Sequence, residues 1–479
     1  MYPKPNKRPE NVIFVAYETA PVQYLTVWDF FLTPIYLLLV ISFAGRQRDK
    51  RYPNGHLLRQ YFLKGLYVKL AGAIFIALIY QYYYGGGDTF NYFRHAKIIN
   101  SAFTDSFSTW FKLVTHQSVT DNPELYRYAS QMEWYNDPSS FTVAAIAAVF
   151  GIFTGTTYLP TALLFAYFSF TGIWAMYRTF VNLYPKLHKE LAIAFLFIPS
   201  TFVWGSAVFK DTICMFGLGW LVYTTFRTFI NKDFSAKNLL LLALSFYLIY
   251  KTKLYILLAF LPALSVWLLT TFSSKIPSAG ARFAVKIAFI GIAAVAFFFF
   301  TRLFATELKK YSLENIAQTA ATTRGWIAYS SGEEGSSYDL GEFNPSIGGM
   351  LKKFPQAVVV TLFRPFPWEA RKVIVLLSAL EALAFVYFTI RAFAKGGLIN
   401  SIKLIGKDPN ILFFLIFSVI FAFAVGITSY NFGALSRYKI PCLPFYAAFL
   451  IVLWKYDVVH PKTGSRPYSK SPAKARALA

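Results

Sequence analysis

Residues 65–94 read GLYVKLAGAIFIALIYQYYYGGGDTFNYFR: an apolar run that ends in three tyrosines and three glycines, with an acid following at once. About 20 apolar residues suffice to cross a bilayer as a helix. Aromatic rings with polar tips favour the membrane–water interface, and glycine allows tight backbone turns. The stretch therefore predicts a membrane helix over about 65–84 with Asp88 on a turn at its mouth, Tyr92 and Arg94 close by.

The rest of the chain has the same character. Of 479 residues, 56% are hydrophobic, 19% aromatic and 15% charged, against about 25% charged in soluble domains. The expectation is an all-α polytopic membrane protein, a single integral membrane domain over 1–479. A net charge of +24 would suggest nucleic acid in a soluble protein. Here the bases sit in short links between apolar runs, as the bias towards cytoplasmic Lys and Arg dictates, so no nucleic-acid partner is expected. Cys214 and Cys442 lie in or beside apolar segments and match no metal-ligand spacing or disulfide framework.

A first helix is expected over 25–45, followed by Arg46, Arg48, Lys50, Arg51, Arg59 and Lys64, the strongest cytoplasmic marker. The second helix then exits on the far side, and Asp88 faces outward. Residues 85–140 form external loop 1, where Phe103, Phe107, Trp110, Phe111 and Leu113 recur at near-helical spacing and predict short surface helices. Further spans are expected at 141–154, 159–177, 190–205, 212–230, 238–251, 254–272, 283–303, 373–393, 410–428 and 438–455, eleven or twelve helices in all. Basic residues at 186–189 and 227–237 leave one crossing for the two segments between 140 and 178. Either 141–154 is re-entrant or interfacial, or one basic link breaks the rule. External loop 2 spans 305–372, with Ser330–Ser337 as a mobile tip. The basic stretch 457–479 reads as a disordered cytoplasmic tail. The placement implied is a bacterial inner membrane, multi-pass, with the C-terminus cytoplasmic; oligomeric state is not legible.

Four outward-facing places carry charge where chemistry is plausible. The first is Asp88 with Tyr92 and Arg94. The second is Lys210-Asp211, opening a helix, where a carboxylate also serves as a plain cap. The third is Arg364-Pro365-Phe366-Pro367-Trp368-Glu369-Ala370-Arg371, with guanidinium groups suited to gripping phosphate; an interfacial anchor is the bland alternative. The fourth is the hairpin 431–441, with Arg437, Tyr438 and Lys439. Glu381, His95 and His116 are weaker candidates, more simply structural. A lipid-linked phosphosugar would set its anion on Arg and Lys while Asp88 takes a proton from the acceptor hydroxyl. Nothing resembles a nucleotide-binding fold, a Walker loop or a zinc signature.

Gly87-Asp88-Thr89-Phe90-Asn91-Tyr92, the segment from Glu133-Trp134-Tyr135-Asn136-Asp137-Pro138 to Phe197-Ile198-Pro199, and Lys210-Asp211-Thr212-Ile213 together resemble the GT-C-type membrane glycosyltransferases. That group includes protein O-mannosyltransferases and aminoarabinose transferases. The resemblance covers about 65–230. It implies sugar transfer from a polyprenyl-phosphate-type lipid donor on the outer face, in cell-envelope polysaccharide biosynthesis, with membrane lipids as surroundings. Asp88 would be the general base and Asp211 a second site acid; Tyr92, Arg94, Glu133, Asp137, Lys210, Arg364, Glu369, Arg437 and Tyr438 would bind substrate. A divalent metal stays open, and no other cofactor is implied. The family's usual Asp-Glu pair is Asp88-Thr89 here, and an extra helix precedes the motif. Arg364 and Arg437 also resemble external arginines of O-antigen-type polysaccharide polymerases, which use lipid-diphosphate-linked glycans. A non-enzymatic lipid or polysaccharide transporter, or a structural membrane subunit, is the competing class.

Overall fold

The computed structural model describes residues 23–273, 336–341 and 346–460, with scattered positions between 276 and 325. The chain is an all-α polytopic membrane protein. Seven described helices are long and apolar enough to cross a membrane: α1 (Val27–Arg51), α2 (Arg59–Tyr82), α7 (Tyr158–Leu183), α10 (Lys210–Ile230), α11 (Ala236–Ser273), α14 (Val373–Gly396) and α16 (Pro409–Thr428). Shorter helices complete it: α3 (Asp88–Asp105), α4 (Phe107–Val114), α5 (Tyr126–Ala129), α6 (Pro138–Phe153), α8 (His188–Leu196), α9 (Pro199–Trp204), α12 (Ile347–Lys352), α13 (Phe354–Phe363), α15 (Leu398–Lys407), α17 (Phe432–Tyr438), α18 (Leu443–Trp454) and α19 (Tyr456–Val459).

The bundle has an Asp88 end and a base-rich end, and side-chain contacts assign each helix terminus to one of them. Thr26 and Asp29 cap the start of α1 (Thr26 N to Asp29 Oδ2, 2.9 Å), and the other oxygen of Asp29 accepts Leu159 N at 2.8 Å. Thr89 Oγ1 lies 2.5 Å from Tyr158 Oη. So α1, α3 and α7 all begin at the Asp88 end. At the base-rich end Tyr184 Oη donates to Asp408 (2.9 Å), Lys395 Nζ to Trp454 O (2.7 Å), and Lys455 pairs with Glu190.

These assignments answer the question left at 140–178. Helix α6 starts at Asp137, which is paired with Lys210, and a four-residue turn after it delivers Tyr158 to the same end. Both ends of α6 therefore sit at one face, and it does not cross. Helix α7 is the sole crossing there.

Other spans depart from continuous helices. The segment expected at 190–205 is broken into α8 and α9 around Phe197-Ile198. The buried Lys69 ammonium of α2 donates to Thr201 O (3.2 Å), Gly205 O (2.7 Å) and Ser169 Oγ (3.2 Å). It caps the C-terminal turn of α9, where the Thr201 carbonyl also accepts Gly205 N at 3.3 Å. The spans expected at 238–251 and 254–272 are the two limbs of α11, joined at Lys253, whose backbone is non-helical (φ −143°, ψ 76°). Thr252 meets Cys214 near the start of α10, whereas Trp267 packs against Phe226 near its end (ring centroids 4.4 Å). The second limb thus runs back towards the base-rich end, and Lys253 is the apex of a helical hairpin.

Inside the stretch expected to be external loop 2, α13 is an apolar helix that packs beside α16: Thr361 Oγ1 donates to Ala422 O at 2.8 Å. Its sequence, FPQAVVVTLF, carries no charge that would hold it in water. Most of the expected span 283–303 and most of Ser330–Ser337 lie outside the described residues, as does the tail beyond 460. The first residues of that tail, 457–459, lie in α19, and His460 Nε2 is 3.1 Å from Asp408 Oδ2.

The tightest packing is between α7 and α10. A Cβ on Gly219 would lie 2.0 Å from Gly172 O, and one on Gly172 would lie 2.3 Å from Phe216 O. Only glycine allows backbones this close, and the approach fixes where the N-terminus of α10, and hence Asp211, stands.

Candidate functional site

The turn after α2 is built as its glycines imply. Gly85, Gly86 and Gly87 have φ of +67°, +139° and +128°. A Cβ on Gly86 would meet Tyr24 Oη at 2.9 Å, and one on Gly87 would meet the Tyr80 ring at 2.8 Å. Positive φ and lack of room both demand glycine here. Asp88 is the first residue of α3, where the helix dipole favours a carboxylate.

Arg437 joins what the sequence separates. Its Nη1 donates to Asp88 Oδ2 at 2.9 Å and its Nε to Asp211 Oδ2 at 2.6 Å. Lys253 Nζ lies 2.5 Å from the other Asp211 oxygen and 4.5 Å from the centroid of the Tyr438 ring. The guanidinium also stacks over Phe209, 4.1 Å from its centroid. Asp211 is fully buried and Arg437 only 8% exposed, while the Asp88 side chain is 48% exposed. Two acids and two cations balance, as burial of charge requires. The exposed side of Asp88 faces a cleft of about 550 Å³ walled by Tyr24, Tyr80, Tyr84 and Asn91.

The other expected residues flank this core. Lys210 donates to Ser139 Oγ (2.6 Å) and to Asp137 (3.3 Å). Burial works against the Asp137 charge, but Lys210 and the hydroxyls of Ser140 and Ser139 outweigh it and bring the carboxyl from 3.8 down to about 2. Tyr92 is buried, its ring 5.0 Å from that of Trp134. Arg94 makes an exposed pair with Glu133 at 2.8 Å, and the hydrogen bond holds the Glu133 carboxyl below its usual range. Neither has a hydrogen bond or ion pair with Asp88.

Two expectations change in character. Arg437, read as a phosphate grip, has its Nε and Nη1 committed to carboxylates. Arg364 is held in two-pronged fashion by Glu369 (Nε to Oε2, 3.1 Å, with a second bond from Nη2 to Oε1) and lies over the Phe432 ring. Its backbone carbonyl accepts Lys439 Nζ at 3.2 Å, which ties the 364–371 loop to the 431–441 hairpin. An arriving anion would meet the remaining guanidinium N–H groups or displace a carboxylate. The space between Asp88 and Asp211 is filled by the guanidinium, so these two acids do not fit a metal as arranged. Among the described residues no group of three His, Cys, Asp or Glu side chains could hold one.

Lys253 is not among the residues the sequence singles out; it falls in the gap between the expected spans 238–251 and 254–272. Two lysines flanking a threonine between apolar runs, with no acid nearby in sequence, were the available signal. Lys69 likewise hides in an apolar run. Glu381 is buried, accepting Ser200 N at 2.9 Å. His95 lies on the buried face of α3 with neither ring nitrogen hydrogen-bonded, and burial, aided by Arg94, brings it from 6.5 down to about 4. His116 stacks on Phe141 at 4.1 Å.

No known protein family matches this chain, and neither a curated protein nor a solved structure shows significant similarity to it.

Proposed function

We propose that the chain is a membrane glycosyltransferase. It moves a sugar from a polyprenyl-phosphate-type lipid donor to an acceptor hydroxyl at the Asp88 end, on the outer face of a bacterial plasma membrane. One observation carries the reading: a half-exposed carboxylate at the edge of a tyrosine-walled cleft, fixed from behind by Arg437 and Asp211. Tyrosine rings offer flat apolar faces with hydroxyl tips, which suits a sugar's mixed surface. The acceptor oxygen attacks the anomeric carbon, and the bond from that carbon to the donor phosphate oxygen breaks with its electron pair leaving on the phosphate. The acceptor proton passes to Asp88. Arg437 is a positioning residue, holding Asp88 through one oxygen. Arg364 would meet the leaving phosphate by exchanging Glu369 for it, one two-pronged anion for another.

A polymerase joining lipid-diphosphate-linked glycans shares the same step, and the link between Arg364 and the Arg437 hairpin through Lys439 supports it. The test is reconstitution into proteoliposomes with lipid-linked sugars and mass spectrometry of the products. Single transfer supports the first reading and repeated elongation the second. Asp88→Asn should abolish either. Translocation of intact lipid-linked sugar with no new glycosidic bond would replace both with a transporter.

A further inference from the structure

A second polar cavity lies at the opposite end of the bundle, where α1, α7, α10 and α11 converge. It has a volume of about 560 Å³ and draws Arg51, Arg178, Arg227 and Lys237 to one space, with Asp233 as its one acid. Asp233 is already paired with Arg227. Among the described residues, Arg51, Arg178 and Lys237 have no carboxylate partner.

The arrangement is built rather than scattered. The Tyr223 ring carries two guanidinium groups, Arg178 at 5.2 Å and Arg227 at 5.6 Å from its centroid. Its hydroxyl accepts Arg227 Nη1 at 2.9 Å. Arg227 Nε is buried and makes no hydrogen bond. Holding like charges side by side with a buried donor unused costs free energy that an anion between them would recover. Leu58, Trp220 and Leu241 form an apolar rim to the same cavity, and the neighbouring Leu240 and Ile230 are exposed on the bundle surface.

We propose that this cavity binds a phosphate-bearing anion, through Arg178, Arg227, Lys237 and Arg51. The chemistry fits two sources, an anionic phospholipid headgroup entering past the apolar rim or a soluble phosphate compound. Basic pockets between membrane helices favour headgroups, and planar, weakly hydrated guanidinium pairs favour phosphate. The site stands apart from the Asp88 cluster and does not depend on the activity assigned there.

The test is thermal unfolding of the purified full chain. Nanodiscs of phosphatidylcholine are compared with and without phosphatidylglycerol, and detergent-solubilised protein with and without inorganic pyrophosphate. A ligand that binds only the native state raises the melting temperature. The Arg178→Gln/Lys237→Gln variant should weaken apparent affinity by at least about tenfold, and the charge-keeping Arg178→Lys/Lys237→Arg variant should retain binding. If the neutral double variant does not fold, Lys237→Gln alone, at an exposed position, carries the comparison. A stabilisation by phosphatidylglycerol that the neutral variant loses identifies a headgroup; one by pyrophosphate that it loses identifies a soluble phosphate. Stabilisation by neither probe, or an equal effect in the neutral variant, overturns the proposal.

Discussion

At the Asp88 end, Arg437 and Lys253 are buried and each meets a carboxylate at 2.9 Å or less. At the other end Arg178, Arg51 and Lys237 gather round a cavity whose single acid is already taken. Both clusters hold several cations within one space. They differ in whether the fold itself supplies the anions. Deep burial leaves no choice, because an unpaired charge out of water costs several kcal/mol, and the chain brings Asp88 and Asp211 to Arg437 across 349 and 226 residues. The base-rich cavity opens to solvent, tolerates uncompensated charge, and so keeps capacity for a ligand. A closed network positions groups; an open one binds.

The sharpest way to break this comparison is Asp211→Ala. It strands Arg437 and Lys253 in a dry site, and removal of one partner from a buried ion pair costs about 3–5 kcal/mol. A large fall in melting temperature and in the yield of monodisperse protein is expected. An unchanged melting temperature would mean that the buried cluster is not the closed network described. Asp88→Asn separates chemistry from folding. Sugar transfer should fall by about 10²–10⁴-fold, while stability shifts by roughly 1 kcal/mol or less because the side chain is half exposed. Comparable losses of stability for Asp88→Asn and Asp211→Ala would erase the distinction between the two acids.

Acid titration sharpens the picture at α3. Folding lowers His95 from 6.5 to about 4, so between those values the unfolded chain binds the extra proton. Stability therefore rises with pH across that window: it is lost progressively as pH falls from 6.5 towards 4 and is independent of this group above 6.5. His95→Gln should flatten that part of a stability-versus-pH curve; an identical slope in the variant would assign the dependence elsewhere. The smallest effect belongs to the exposed Arg94–Glu133 pair. Its double-mutant cycle should give about 0.2–1 kcal/mol, declining with salt, and a larger coupling would show that this pair belongs to the network after all.

Length and composition made the membrane class legible, and the YYYGGGD turn made Asp88 legible, since positive φ at Gly85, Gly86 and Gly87 is a local demand. Charge bias along the chain put Asp88, Asp211 and Arg437 at one end. It did not reveal that Arg437 is the piece between the two acids, nor that Lys253 completes them. Nor did it decide α6, whose apolar run FTVAAIAAVF reads like part of a crossing. The contacts of Asp137 and Tyr158 decide it, and those depend on α10 and α3.

By itself, then, the sequence determined most of the segments that leave water, the glycine turn before Asp88, and the grouping of acids in a few links. Those properties follow from side-chain transfer energies and backbone sterics that act over a few residues. Only the tertiary structure decided which charges neutralise one another, Arg437 with Asp88 and Asp211 and Arg364 with Glu369, and which carbonyls receive the Lys69 ammonium. Pairing depends on distances between helices, set by contacts such as Gly172 on Gly219, and no local pattern encodes them. Among the described residues, the same pairing left Arg51, Arg178 and Lys237 of the base-rich cavity without carboxylates, a surplus that no local pattern shows.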